Sequence, residues 1–566
     1  MNEAVRRHEE LASIARELAS LAGRDSPALS GRIGSLSIVD QAELALRLPA
    51  KERLELLLHA PKPMALVRAL PDFEVYLTIR EIGPSDAMPL LALASGPQIA
   101  HVIDLESWRG DRFDPERSGA WVALLLEAGE PTIRRFLNVA DDELLALLFR
   151  RWIRATPIEI DHEEPTRGHG ETEAGDERGF LSPDGNFRFS PSIPEHAPAV
   201  RRFAEIFFHE QQKRYMRVLW ESGVELPAEL EEREHAWRQS RLEEHGFPPW
   251  DEAIEIYAPP RGGAAPLPLS VEDGLAGVRS LLLRSDTRGL LTRAIDHLDG
   301  PSREATLFGI SAVANRIVAA ERWDTGDPAA HRRAFERAIG FVTVALEIRH
   351  AVDPEAAAAT LVQEPAIDLF RQGWARAVEA QRRVRDLLRE GWASRHPRGI
   401  DLLEAPLRAR LKGLALDRPL AWDPSIPAGA EPYREFRSLA ELDEARAAVD
   451  LAELLGRVLL DALGAPVAAV EEGSTFSTLL LTGAAWFTVR GEIRGDALPV
   501  DVAETFLRNA RPSDLEAFVA ALAGESPALR LFAKASFDRL LTERTGLAVG
   551  RAVTPLDVTC LRLARG

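Results

Sequence analysis

One cysteine, Cys560, stands in a chain of 566 residues. A lone thiol can neither close an intramolecular disulfide nor build a thiolate metal cage, so packing must hold the chain together and a reducing cytoplasm is its expected compartment. Lysine is almost as scarce: only positions 51, 62, 213, 412 and 534 carry it among 69 basic residues. With alanine abundant, that bias suits a GC-rich bacterial genome. No apolar run approaches the roughly eighteen residues that a bilayer-crossing helix needs, which excludes a helical span. The opening MNEAVRRHEELASIARELA mixes both charge signs at helical spacing and has no apolar h-region, so no signal peptide is expected. Phosphate-cradling loops are missing, since neither GxGxxG nor GxxxxGK[ST] occurs. GISAV, at Gly309–Val313, lacks the second glycine of a nucleophile elbow and reads as helix. Cys560 sits in DVTCLRLA among apolar neighbours, a setting for packing more than for nucleophilic attack. Positive charge is also short: 88 acids against 69 bases leave a formal charge of -19. That balance repels phosphate backbones and anionic lipid, so neither nucleic acid nor membrane is expected as a partner.

What the chain has in quantity is apolar helix cut by proline. LRLPAKERLELLLHAPKPMALVRALP, Leu46 to Pro71, carries prolines at 49, 61, 63 and 71, and stops recur at Pro84 and Pro97. Proline cannot donate inside a helix and biases the preceding residue away from the α region, but it fits a first turn. Each interval has an i, i+3, i+4 apolar set: Leu54, Leu57 and Leu58, then Phe73, Tyr76 and Leu77, then Ile99, Val102 and Ile103. Asp72 and Ser85 are expected N-caps, and Ser37 with Asp40 has capping-box spacing. Helices of about ten residues are marginal alone, so each must be stabilised by its neighbours. The expected fold is mainly α: an N-terminal short-helix solenoid over 1–156, then helical domains with minor β content.

Composition divides the remainder. An acidic stretch from Asp161 to Arg178 has no large apolar side chain and is expected to be a disordered linker within 157–197. FLSPDGNFRF, Phe180 to Phe189, closes that segment as an expected hairpin. A charged helical segment follows over 198–258, and the Pro/Gly cluster at Pro259–Pro268 marks a boundary. Longer helices are expected over 271–396, separated at 299–301, 324–328 and 352–356. A loop-rich connection covers 397–437 and a mainly helical C-terminal domain 438–566. Within the last, 474–495 reads equally as a strand pair or a buried helix.

Asp40 to Pro71 resembles the N-terminal cytoplasmic superhelical domain of MgtE-type magnesium transporters and, more distantly, the helical repeats of FliG. Over the whole chain, including FPPWDEAIEIYAPP at Phe247–Pro260, the sequence is similar to an uncharacterised bacterial family of unknown function. The first resemblance implies a superhelical stack; the second implies no activity.

Six histidines, His162, His169, His196, His209, His235 and His245, fall in one acidic window. Glu205 and His209, and again Glu231 and His235, stand four apart on one helix face, as two metal ligands would. Yet HEQQK has lysine where a zincin needs its second histidine, and solvated helix pairs explain both spacings. The eight arginines from Arg371 to Arg398 are interleaved with Glu379, Asp386 and Glu390 and read as a salt-bridged surface. No cofactor is predicted. The expected function is an interaction or regulatory scaffold whose acidic stacked surface meets a protein partner. The alternatives are a metal-dependent enzyme using residues 162–245 and a divalent-cation-responsive regulator.

Overall fold

The computed structural model describes residues 31–158, 179–260, 289–463, 474–546 and 558–564, with residue 14 and without residues 32, 245 and 525. The chain forms two compact units, Met1–Arg371 and Gln372–Gly566, and is mainly α with a few short strands. The expected linker at 161–178, His162, His169 and His245 lie outside the described residues.

In the first unit the prolines do punctuate. Helices α1 (Ile38–Arg47), α2 (Ala50–His59), α3 (Pro63–Arg68), α4 (Asp72–Ile82), α5 (Met88–Leu93) and α6 (Gly96–Glu106) follow one another, with Pro49 and Pro71 at N-caps and Pro63 at a first turn. They continue into α7 (Pro115–Glu127), α8 (Glu130–Leu137), α9 (Asp142–Trp152), α10 (Ala197–Val224) and α11 (Pro227–Glu244). Each helix packs on the one two places along: α1, α3, α5, α7, α9 and α11 make one row, and α2, α4, α6, α8 and α10 the other. Alternation of that kind is how amphipathic helices too short to persist alone bury a continuous seam.

Short helices leave many terminal carbonyls unpaired, and buried side chains of other helices satisfy them. Arg53 donates to Ala45 O (3.0 Å) and Leu48 O (3.3 Å) at the end of α1. Gln98 donates to Val67 O (2.9 Å) and Leu70 O (2.8 Å) beyond α3. Arg135 reaches Ala92 O at 2.8 Å, and Arg214 caps Leu137 O and Ala140 O. Ser37 accepts the Asp40 N–H as expected, at 3.2 Å. Two expected caps are corrected: Asp72 is already the first helical residue behind Pro71, and Ser85 lies in a turn. The capping box belongs instead to Ser95 and Gln98.

Residues 109–156 are not helical throughout. Trp108–Arg109 (β1) and Arg112–Phe113 (β2) form a ribbon turned at Gly110, whose φ of 63° suits glycine. Ile153–Pro157 (β3) joins Phe180–Leu181 (β4) and Phe187–Pro191 (β5) in a three-stranded sheet of order β3-β5-β4, so the expected hairpin has a third strand to lie against. Later in this unit, Leu290–Asp296 (α12), Gly300–Ala320 (α13), Pro328–His350 (α14) and Pro354–Gln363 (α15) pack together, with Asp299, Asp327 and Asp353 as N-caps. Gly309–Val313 lies inside α13, as expected.

The chain passes from the first unit to the second within Ala366–Arg389 (α16). The loop-rich stretch contains helix Leu407–Ala415 (α17) and a ribbon pairing Ala421–Trp422 (β6) with Tyr433–Arg434 (β7). After Leu439–Leu455 (α18) comes Phe476–Arg490 (α19), which resolves 474–495 as buried helix ended by Gly491 at φ 73°. Val500–Asn509 (α20), Pro512–Ala523 (α21) and Pro527–Gly546 (α22) pack with it, each entered at a proline. Arg376 pairs with Glu379, and Arg383 forks to Asp450 and Glu453, both at 2.7 Å, so these arginines sit in salt bridges as expected. Cys560 is buried, its thiol pushed up by burial, with its backbone N–H on Glu543 at 3.0 Å.

Candidate functional site

Both rows end where α10 and α11 pack on α9. The inner face of α10 is apolar and aromatic: Phe203, Phe207 and Tyr215 lie against Phe149, Phe203 also meets Trp152 edge-on, and the centroid distances run from 5.8 to 6.2 Å. At Gln211 the backbone leaves helical geometry (φ -142°, ψ 54°), and its side-chain amide donates to Asn138 at 2.8 Å. The limb beyond that bend places Met216, Trp220 and Val224 in solvent, with Leu226 after it; Trp220 is 70% exposed and Val224 65%.

α11 solves a different problem. Its buried positions are Leu230, Glu234, Arg238 and Leu242, an i, i+4, i+8, i+12 stripe with only two apolar members. A helix seated on such a stripe must bury ions, and those ions need partners. Arg241 grips Asp104 with two bonds of 2.8 Å and also reaches Asp141 (2.5 Å) and Glu234 (2.6 Å). Arg238 donates to the Asp104 carbonyl at 2.9 Å, capping α6, and lies 5.5 Å over the Trp108 ring. Burial pulls Arg238 down to about 10. Burial, abetted by the Asp104 and Asp141 carboxylates and opposed by Arg241, pushes Glu234 up to about 8. Its second oxygen, Oε2, is buried without a hydrogen-bond partner among the described residues.

A neighbouring network closes on Glu106, the last residue of α6 and 1% exposed. It accepts from Tyr76 (2.7 Å), Trp121 (3.2 Å) and Arg117, and pairs with Arg80 at 3.3 Å. The Tyr76 hydroxyl also stands 2.5 Å from Gly326 O, and burial pushes its pKa up. Together these contacts tie the loop between α13 and α14 to the stack.

With Arg238 and Arg241 turned inward, α11 shows solvent a different face: Glu229, Glu232, Ala236, Trp237, Ser240, Glu243 and Glu244 are all exposed. Trp237 is 51% exposed. None of those four carboxylates forms an ion pair among the described residues. The exposed side is anionic and carries one large aromatic, Trp237, toward its edge, on a helix clamped from behind.

Among the described residues, His196, His209 and His235 of the histidine window are not brought together as a ligand set. Glu205 is held by Arg201 (3.1 Å) and Arg202 (3.0 Å), while His209 is exposed. Reading Glu231 and His235 as a solvated pair is corrected. Glu231 accepts the Phe113 N–H at 3.0 Å and bonds Arg151, and His235 packs on Trp108 at 5.5 Å with its pKa lowered by burial and by Arg238. His196 packs close to Gly119, where a β-carbon would fall 2.7 Å from the ring. Among the described residues, no group of three or more His, Cys, Asp or Glu is placed to hold a metal ion. The signal for the α11 clamp was in the sequence: two leucines twelve residues apart cannot seat an eighteen-residue helix without charged company.

Fold and site define a mainly α protein with a two-row stack of short helices, and no described helix is long and apolar enough to cross a membrane. The chain belongs to the family described as "Family of unknown function (DUF6178)", matched over residues 30–563. No curated protein and no solved structure matches it, so the resemblance of Asp40–Pro71 to the MgtE superhelical domain draws no support from those comparisons.

Proposed function

We propose that this protein is a docking scaffold whose outer α11 face receives a protein partner presenting basic side chains beside an apolar anchor pocket. The observation that supports this reading is the segregation of charge on α11: Arg233, Arg238 and Arg241 are engaged in ion pairs or buried, while Glu229, Glu232, Glu243 and Glu244 are exposed on the same helix as an exposed Trp237. Tryptophan is enriched among the side chains that dominate interface energetics, and complementary charge steers and selects the partner. The buried arginine clamp adds preorganisation, since a face already fixed loses little entropy on binding. The net charge of -19 favours the same sign of partner.

Affinity capture from native lysate, with the full chain and its Trp237→Ala and Glu232→Lys variants side by side, tests it. The expected result is a stoichiometric protein retained by the wild type, weakened about thirtyfold by Trp237→Ala and released by salt. If no retained protein depends on Trp237, the reading fails.

A further inference from the structure

The three-stranded sheet of the first unit ends on one side at β3, whose far edge pairs with no strand among the described residues. Along the other edge its bonds to β5 alternate. Ser192 N donates to Trp152 O at 2.7 Å and Ile158 N to Asn186 O at 2.9 Å, so the even-numbered residues from 152 to 158 are the ones that bond β5. The odd-numbered ones turn their backbone groups away. Ala155 therefore presents both its N–H and its carbonyl outward, and Ile153 and Pro157 present their carbonyls. The Ile153 N–H bonds Phe149 O at the end of α9, and Pro157 has none. The outward groups have no hydrogen-bond partner among the described residues.

The pleat sorts the side chains beside that edge. Ile153 and Phe189 are buried on one face, while Arg154, Thr156 and Arg188 are exposed on the other. Arg154 stands opposite Ser190 and Arg188 opposite Thr156, which makes the two arginines diagonal neighbours. Neither has an ion pair among the described residues. The face is therefore locally cationic in a chain of net charge -19. Screening over about 8 Å at physiological ionic strength lets that local sign govern what docks.

We propose that the β3 edge receives an extended acidic segment of another protein, added antiparallel as a further strand. Its backbone would bond Ala155 in both directions and donate to the Ile153 and Pro157 carbonyls. Acids opposite Arg154 and Thr156 then lie on the cationic face, and the residue between them, opposite Ala155, lies on the apolar side. Charge selects this occupant over a second copy of the chain. Like edges paired about a two-fold axis would gather the Arg154 and Arg188 side chains of both copies on one continuous face, which is how a charged edge resists its own kind. The chain's own acids at 161–178 make a poor strand by composition: DHEEPTRGHGETEAGDER has one proline, three glycines and no large apolar side chain. The proposal does not depend on the partner assigned to α11, because it uses other residues and the opposite sign of charge.

Fluorescence anisotropy of a labelled octapeptide alternating glutamate and valine, titrated at low salt with the full chain to about 300 µM, tests it. The expected result is saturable binding with a dissociation constant of about 100 µM or tighter, and about tenfold weaker binding when lysine replaces the glutamates. Arg154→Glu should weaken binding about tenfold, Arg188→Glu several-fold, and Trp237→Ala not at all. Ala155→Pro should weaken it about as much as Arg154→Glu, since it deletes the outward donor and no bond to β5, a change that edge strands accommodate. Arg154 is exposed and has no ion pair, so its variant keeps the test decisive even if Ala155→Pro disturbs the strand. Absence of binding, equal binding of the lysine peptide, or indifference to both β3 substitutions overturns the proposal. Binding that emerges only after residues 161–178 are replaced by a glycine–serine segment of equal length would assign the edge to the chain's own acids and overturns it too.

Discussion

Arg241 and Asp104, 137 residues apart in sequence, meet through two parallel hydrogen bonds of 2.8 Å each, Nε to Oδ2 and Nη2 to Oδ1. Asp104 is 5% exposed on α6 and Arg241 is half-buried on α11, so the pair spans from one row of the stack to the other. The planar fork is what lysine cannot reproduce.

Replacing Arg241 by alanine strands Asp104 and Glu234 without their shared cation. Breaking a buried pair from one side costs about 3 kcal/mol, because a charge is left uncompensated. Arg241→Ala should therefore lower the urea midpoint markedly, and Arg241→Lys should recover only part of the loss. A wild-type midpoint in either variant would show that the clamp is idle.

Glu234 makes stability depend on pH. Its carboxyl ordinarily titrates near 4.5 and is pushed up to about 8 in the fold. Between those values the native chain holds more protons than the unfolded one, so stability falls as pH rises from about 4.5 to about 8. Glu234→Gln keeps the shape and removes the titration. Denaturation curves from about pH 6.5 to about 8 should have a flatter pH slope in the variant, and equal slopes would refute the assignment.

His331 produces the opposite slope. It is fully buried, donates from Nε2 to Thr325 O at 2.9 Å, and packs between Phe73 and Phe247. Burial lowers it from 6.5 to about 4, so the native chain holds fewer protons in that interval. Stability is complete above about 6.5 and is lost as pH falls toward about 4. Below pH 6.5 His331→Gln should lose less stability on acidification than the wild type does, measured by thermal melts at stepped pH.

How much of this was legible follows from which contacts are local. Proline acts on its own residue and the one before, so the breaks at Pro49, Pro71, Pro499 and Pro512 could be read directly. β3 could not, because Ile153–Pro157 becomes a strand only by pairing with Phe187–Pro191 some thirty residues later. Periodicity could not separate strand from helix over 474–495, since α19 is buried nearly all round and has no polar face to set a period. The inward turn of Arg238 and Arg241 was hidden because charged residues occur on every side of α11. Its sparse leucines were the clue.

Gly456 carries the last prediction. It opens a π-helical turn, Gly456–Ala462, directly after α18, in ordinary right-handed geometry that any residue can adopt. Trp392 lies against it, its indole N–H donating to Ala452 O at 2.9 Å and its ring meeting Phe476 edge-on at 4.9 Å. A β-carbon at 456 would overlap that indole. Because the backbone is unstrained, steric exclusion is the whole reason for glycine here. Overpacking of this severity costs about 3 kcal/mol. Gly456→Ala should therefore destabilise the fold strongly, although alanine is the better helix former by about 1 kcal/mol. Trimming the obstacle settles the cause: Gly456→Ala combined with Trp392→Ala should be less destabilised than the sum of the two single variants. Strict additivity in that double-mutant cycle would place the glycine requirement elsewhere.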